Sequence, residues 1–156
     1  MIKESGTHEG KIIAKYHLKD GRIKEEVIYN RVMNDWLNEV ITMLTGTSSN
    51  DYEIKYLALG TSNTPITDAD TQLGNEVYRI PVVDLDKTDV GKVRSTFFLG
   101  DTEALVVVQE IGFFCGSAAT GADNSGRMLS RILVTIDRTS GATAITFTRI
   151  DTLERK

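Results

Sequence analysis

The stretch "KIIAKYHLKDGRIKEEVIYN", residues 11–30, gives the clearest indication of the fold. Within it, Asp20 and Gly21 separate two runs in which apolar and polar residues alternate. Asp-Gly is favoured in two-residue hairpin turns because both residues tolerate a positive φ, and alternation with a period of two is typical of a strand with one buried face. The stretch therefore predicts an antiparallel β-hairpin.

Pairing outward from a two-residue turn gives this hairpin a predicted register. Ala14 would lie opposite Val27 on a mostly apolar face. The other face would be wetter, carrying His17 and an opposite-charge cross-strand pair of Lys15 and Glu26.

The next stretch, "MNDWLNEVITMLTG", changes to helical spacing. Its apolar residues, from Trp36 to Leu44, recur at intervals of three and four, which predicts one helix at about 35–45. Asn34 is a plausible N-cap, and Gly46 a plausible stop. We expect the apolar stripe of this helix to cover a sheet.

From residue 53 onward, short apolar runs alternate with turn-forming residues, and six further strands are predicted. Pro81 lies inside the second of them, which suggests an edge strand or a bulge because proline has no N–H for the ladder. The sequence thus predicts a mainly β fold. It would be an antiparallel β-sandwich or a partly closed barrel of about eight strands, with one short α-helix at about 35–45.

The 156 residues predict one domain with short extensions. Residues 1–10 are polar and are expected to form a flexible N-terminal arm, residues 11–151 a single β-rich domain, and residues 152–156 a C-terminal tail. The two long connections are 61–75 and 115–126. The second is small and polar, which suggests a mobile tip.

Composition argues against several classes of protein. The 18 basic and 22 acidic side chains give a net charge of −4 and a pI near 5.2. This balance argues against nucleic-acid binding through a broad basic surface. The sequence predicts no membrane span and no signal peptide. Cys115 is the only cysteine, as expected for a protein made in a reducing cytoplasm.

The sequence shows no catalytic constellation. It lacks a phosphate-binding loop and a G-x-S-x-G elbow, and its two histidines, His8 and His17, both precede residue 18. Cys115 follows "GFF" without a neighbouring base, so we interpret it as structural. The sequence therefore predicts a protein that is not an enzyme and uses no cofactor.

Acidic residues in "TDADTQLGNE" raise the alternative of a calcium site. Asp68, Asp70 and Glu76 could supply oxygen ligands. The spacing departs from the EF-hand pattern, and aspartates in turns commonly bond their own backbone. We therefore predict no metal site.

Glu110 is the charge that most needs explanation. Alternation in "ALVVVQEIGFF" places it on the face of Val106, Val108 and Phe114, where a carboxylate needs a partner. The candidates for structural ion pairs are Glu110 and Glu76 among the acids, and Arg79, Arg94 and Arg131 among the bases. A catalytic role for Glu110 with Asp68, as in a hydrolase, is the alternative.

Residues 57–82, "LALGTSNTPITDADTQLGNEVYRIPV", followed by "STFFLGDTEALVVVQEIGFF", resemble a segment of tailed-bacteriophage structural proteins. That pattern has an aliphatic "LALGTG" strand, a "T-x-P-x-x-x-D-T-x-L" connection, an "E-x-x-R" pair and an "E-I-G-L-F" strand. Here the pair is Glu76 and Arg79, and the last strand is Glu110–Phe114. The resemblance covers about residues 27–150, with Phe113-Phe114 in place of Leu-Phe.

The resemblance implies a non-enzymatic component of the virion, such as a compact tail, collar, fibre or baseplate protein. It would act through self-association, with a trimer as one symmetric form, and through contacts with other virion proteins. It would be made and assembled in the host cytoplasm. The arm 1–10 and the connections 61–75 and 115–126 are the predicted contact regions. The alternatives are a capsid-surface decoration protein and a carbohydrate- or receptor-binding module, for which Tyr52, Tyr56 and Tyr78 would be available.

Overall fold

The computed structural model describes residues 6–46, 51–140 and 143–155. Within them, the chain forms one helix and nine strands, and all strand pairings are antiparallel. No helix in these ranges has the length and hydropathy needed to cross a bilayer. The elements are β1 (Gly6–His17), β2 (Ile23–Tyr29), β3 (Arg31–Val32), α1 (Asn34–Leu44), β4 (Ile54–Gly60), β5 (Glu76–Asp89), β6 (Lys92–Leu99), β7 (Val107–Cys115), β8 (Arg127–Asp137) and β9 (Ala144–Arg155).

The strands form one sheet in the order β2-β1-β9-β6-β5-β4-β7-β8-β3, and this sheet is nearly closed into a barrel. The predicted mainly β fold with one short helix is confirmed, and of the two predicted architectures the structure has the partly closed barrel. The strand that the sequence did not indicate is β3, which has only two residues.

Pro81 marks the point where β5 changes partners. Residues 76–81 of β5 pair with β4, whereas the pairing with β6 starts at Val82. A register shift between Val82 and Asp84 accompanies the change. The predicted bulge therefore lies beside Pro81, but the predicted edge position is wrong because β5 lies between β4 and β6. A residue without an N–H fits this corner because ladder bonds are interrupted there.

The barrel closes through two residue pairs. Asn30 alone separates β2 from β3, and β3 pairs with β8 through Arg31 with Arg131 and Val32 with Ser130. Beyond them, β2 and β8 face each other across a gap lined by residues 26–29 and 133–136. We call this gap the seam. On the sides that face the seam, β2 and β8 are paired with no described strand.

The first hairpin has a different register from the predicted one. Ala14 pairs with Glu26, and Lys15 pairs with Glu25. The turn is longer than two residues, because the N–H of Leu18 donates to the carbonyl of Arg22. One additional residue in the turn moves β2 by one position, and every side chain of β2 changes face.

The shift explains which side chains of the hairpin are exposed. Ile12 and Ala14 of β1 are buried in the barrel, and Ile28 of β2 packs against the same core. Val27 and Tyr29 lie on the outer face and are exposed. The predicted apolar face of β2 is therefore the solvent face.

Helix α1 docks through only part of the side that the sequence predicted. Trp36 packs against the main core, and the buried Glu39 lies 3.5 Å from Arg127. Of the predicted covering stripe, Leu37, Ile41 and Leu44 are exposed and face outward. The predicted N-cap is also wrong, because the cap position is Met33 and Asn34 is the first helical residue.

Two apolar clusters stabilise the fold. The larger fills the barrel, and the smaller lies outside it, against β4, β7 and β8. A register shift between Val108 and Glu110 turns Val108 into the barrel, although alternation had placed the two residues on one face. The smaller cluster comprises Met33, Ala58, Leu73, Phe114, Ala119 and Met128.

The predicted boundaries of the domain are wrong at both ends. Gly6–Gly10 pair with Asp151–Arg155, so these residues extend β1 and β9 as a ribbon that β6 accompanies only as far as Thr152. The part of the predicted arm before Gly6, and Lys156 of the predicted tail, lie outside the described residues.

This pairing predicts the effect of truncation. A chain that starts at Lys11 should have a lower Tm than one that starts at Gly6, because it lacks the pairs between residues 6–10 and β9. Each kcal/mol lost should lower the Tm by about 2–4 °C in a protein of this size. Equal Tm values for the two truncated chains, measured by calorimetry, would show that the ribbon contributes nothing to stability.

Candidate functional site

The Glu110 carboxylate is fully buried on the outer face of β7 and receives hydrogen bonds from three backbone amides. The N–H of Gly74 donates to Oε2 at 3.0 Å, and the N–H groups of Asn75 and Ser62 donate to Oε1 at 2.8 and 3.3 Å. These amides belong to the connection 61–75, which folds back over β7. The carboxylate thus fixes both ends of this loop.

Arg131 neutralises Glu110 and extends the network. Its Nε lies 2.8 Å from Oε2 of Glu110, and its Nη1 lies 2.7 Å from the Asp70 carboxylate. Nη2 donates to the side-chain oxygen of Thr64 at 3.0 Å. Arg131 therefore lies between two carboxylates, and all three of its side-chain nitrogens donate hydrogen bonds. These bonds fix the position of the connection 61–75 relative to β8.

Gly60 makes this close approach possible. A Cβ at this position would collide with the Glu110 carboxylate and with the backbone carbonyl of Asn75. Any other residue there would force the carboxylate or the loop to move, so the glycine at the end of the "LALG" strand belongs to the ion-pair site.

A second buried pair holds the other long connection. Nε and Nη2 of Arg79 donate to the two carboxylate oxygens of Glu76, at 2.6 and 2.9 Å, and the guanidinium lies 4.3 Å from the centre of the Phe114 ring. Nη1 of Arg79 also donates to Ser125 and to the carbonyl of Thr120. The connection 115–126 is therefore held against the barrel, and the expected mobile tip is wrong.

The remaining candidate of the ion-pair set lies elsewhere. Arg94 is partly exposed on β6, 3.2 Å from Asp84 and 3.6 Å from Asp86. It is far in the sheet from β7, so it takes no part in the Glu110 network.

The acids considered for calcium are divided among separate partners. Asp68 pairs with Arg31 at 2.6 Å, while Asp70 and Glu76 pair with Arg131 and Arg79. Among the described residues, no group of three or more acidic, histidine or cysteine side chains could hold a metal ion. Asp68 is bonded to Arg31 and Glu110 to Arg131, so the structure does not bring together the pair considered for a hydrolase.

Cys115 and His17 have ordinary structural surroundings. The Cys115 thiol is buried and donates to the carbonyl of Arg127 at 3.3 Å. Burial raises the pKa of this thiol to about 12, which keeps it protonated. His17 lies exposed on the outer face, 2.9 Å from the Thr146 hydroxyl. His8 lies where side chains are not described.

The structure contains a buried pair that sequence reasoning missed. Arg149 is fully buried inside the barrel, and its guanidinium makes two hydrogen bonds of 2.6 Å to Asp151. Alternation along "AITFTRID" could have revealed it, because Ile145 and Phe147 on the same face are buried. In this pair, as in the pairs Glu110–Arg131 and Glu76–Arg79, each buried charge has an opposite charge beside it. This favours a structural role over proton transfer.

The seam is the other notable feature, because exposed apolar side chains lie on both of the strands that border it. Val27 and Tyr29 are exposed on β2, and Leu133 is exposed on β8. Unpaired strand edges with apolar side chains are sites where another chain can add.

Comparison with protein families, with curated proteins and with solved structures finds no match for this chain.

The geometry predicts a large effect of removing Glu110. Glu110→Ala should lower the free energy of unfolding by about 3–5 kcal/mol, because it leaves Arg131 and three loop amides without their acceptor. Glu110→Gln keeps an acceptor oxygen and should lose less. Asp84→Ala, which removes an exposed partner of Arg94, should change it by under about 1 kcal/mol. Urea unfolding measures all three, and similar losses for Glu110→Ala and Asp84→Ala would contradict the role of Glu110.

The lowered pKa of Asp70 predicts that the stability of the protein depends on pH. Burial alone would raise the pKa of Asp70, but hydrogen bonds from Thr67 and Arg131 outweigh it and hold the pKa below the usual 3.8. The stabilisation is therefore present above pH 3.8 and is lost as the pH falls through the lower pKa of the folded state. Urea unfolding between pH 2 and pH 6 should show a steeper loss for the wild type than for Asp70→Asn. Parallel curves would contradict this assignment.

Proposed function

We propose that this protein is a non-enzymatic structural component of a tailed-bacteriophage virion. It acts through self-association and through contacts with neighbouring virion proteins in the tail, collar, fibre or baseplate. The first support is the resemblance of residues 57–82 and of Glu110–Phe114 to such proteins. A surface-decoration role on the capsid is the alternative position in the particle.

The network around Glu110 gives the resemblance a physical meaning. Residues that carry the pattern include Gly60, Glu76, Arg79 and Glu110, and the structure uses all four in the two buried ion pairs. The pattern therefore describes how two long loops are held rigidly on a barrel. Rigid loops suit a building block, because an ordered surface loses little conformational entropy when it binds.

The observation that carries the proposal is the seam. Its edges lie beside exposed Val27, Tyr29 and Leu133, so a partner that adds here would bury apolar area and supply backbone hydrogen bonds. The outward stripe of α1, with Leu37, Ile41 and Leu44, is a second apolar surface. Two such surfaces suit a subunit that contacts more than one neighbour.

The carbohydrate-binding alternative has less support. Tyr56 lies under the Arg79 guanidinium, and the Tyr78 hydroxyl donates to Glu103 at 2.8 Å. Tyr52 packs against Trp36, with ring centres 5.4 Å apart. The three tyrosines therefore serve different contacts and form no common platform for a sugar.

Association through the seam can be tested with charged substitutions. Val27→Lys places a charge on the β2 side of the seam, and Leu133→Lys places one on the β8 side. If the wild type associates, each variant should instead be the 17.3-kDa monomer. Val90→Lys is a matched control, because Val90 is 88% exposed in the β5–β6 turn. Sedimentation velocity gives the mass, and far-UV circular dichroism checks the fold. A wild type that stays monomeric up to its solubility limit would contradict self-association.

The virion assignment needs a separate measurement. Mass spectrometry of purified particles, from a lysate of cells that carry the gene, should detect the chain in a constant ratio to the capsid protein. Its absence from intact particles would contradict the virion role even if the purified protein self-associates.

A further inference from the structure

One end of the barrel contains a cavity of about 390 Å³. It lies between α1, the start of β4, the β5–β6 hairpin and the end of β9, opposite the end that carries the first hairpin turn. Its volume lies within the range that holds small organic ligands. The apolar residues that line it include Trp36, Tyr52, Ile54, Val93, Leu129 and Leu153.

The charges around the cavity are not balanced. Two acidic residues line it, and both have basic partners: Glu53 lies 2.9 Å from Lys55, and Asp151 is held by Arg149. Lys87 and Lys92 also line it, and neither forms an ion pair with the described residues. The opening therefore carries net positive charge above an apolar interior.

Tyr52 supplies an additional polar group. Its ring packs against Trp36, and its hydroxyl is buried without a hydrogen-bond partner among the described residues. A buried hydroxyl without a partner is unfavourable, and a bound polar group or water would satisfy it.

We propose that this cavity binds a single-chain anionic amphiphile, of which a fatty carboxylate is the simplest. The alkyl chain would lie against Trp36, Leu129 and Leu153, and the carboxylate would lie at the opening between Lys87 and Lys92. The apolar cavity wall provides the affinity, and the two ammonium groups select the anionic head. This ligand class goes beyond the proposed virion role and does not depend on it.

Trp36 makes the proposal directly measurable, because it is the only tryptophan of the chain and it lines the cavity. Titration with dodecanoate below its critical micelle concentration should change the Trp36 emission in a saturable way and raise the Tm. Decanoate should bind more weakly, by about fourfold for each methylene removed. Dodecanol, with the same chain and no charge, should also bind more weakly.

Two double variants test the head-group site. Lys87→Gln with Lys92→Gln should weaken dodecanoate binding by roughly fivefold to tenfold and leave dodecanol binding unchanged. Lys19→Gln with Lys24→Gln removes the same charge near the first hairpin turn, at the opposite end of the barrel, and should leave both affinities unchanged.

Three results would overturn the proposal. They are an unchanged Trp36 emission at saturating dodecanoate, equal effects of the two double variants, and an emission change accompanied by a lower Tm. The last result would indicate unfolding by the amphiphile instead of binding.

Discussion

The structure depends on one buried carboxylate. Glu110 lies on the outside of the barrel wall, where an apolar residue would be expected, and the connection 61–75 reaches it through three backbone amides. Arg131 then joins the carboxylate to the neighbouring strand. An isolated charge at this depth would be strongly unfavourable, so the loop, the glycine at position 60 and the arginine are required together.

The same arrangement recurs on a smaller scale around the molecule. Glu76 and Arg79 hold the connection 115–126, while Arg149 and Asp151 lie inside the barrel. Long loops usually lie loosely on the surface, yet here both long connections are held by a bidentate or doubly bonded arginine. The barrel wall consequently has ordered structure on both faces: an apolar interior, and an outer layer of loops over Phe114, Leu73 and Met128.

Residue periodicity along the sequence was sufficient to predict every described strand except β3, the helix and the importance of Glu110. It was insufficient where the chain departs from a strict period of two. One extra residue in the first turn moved β2 to the other face, and register shifts near Val108 and Val82 could not be located from residue types. Helical spacing predicted α1 and the docking of Trp36 but not the burial of Glu39, whose partner Arg127 is distant in sequence. Alternation along β9 places Arg149 on the inward face. A buried arginine there is explained by its pairing with Asp151 on the same face.

The join between β3 and β8 has a consequence for how the molecule opens. Since it consists of two residue pairs, β2 is held along one side only, by seven residue pairs with β1, whereas β9 lies between two long partners. We therefore expect local unfolding to start at β2, at a lower free energy than global unfolding. The amides of β2 should then exchange with solvent faster than those of the inner strands, and the two parts should respond differently to heat or to a neighbouring chain.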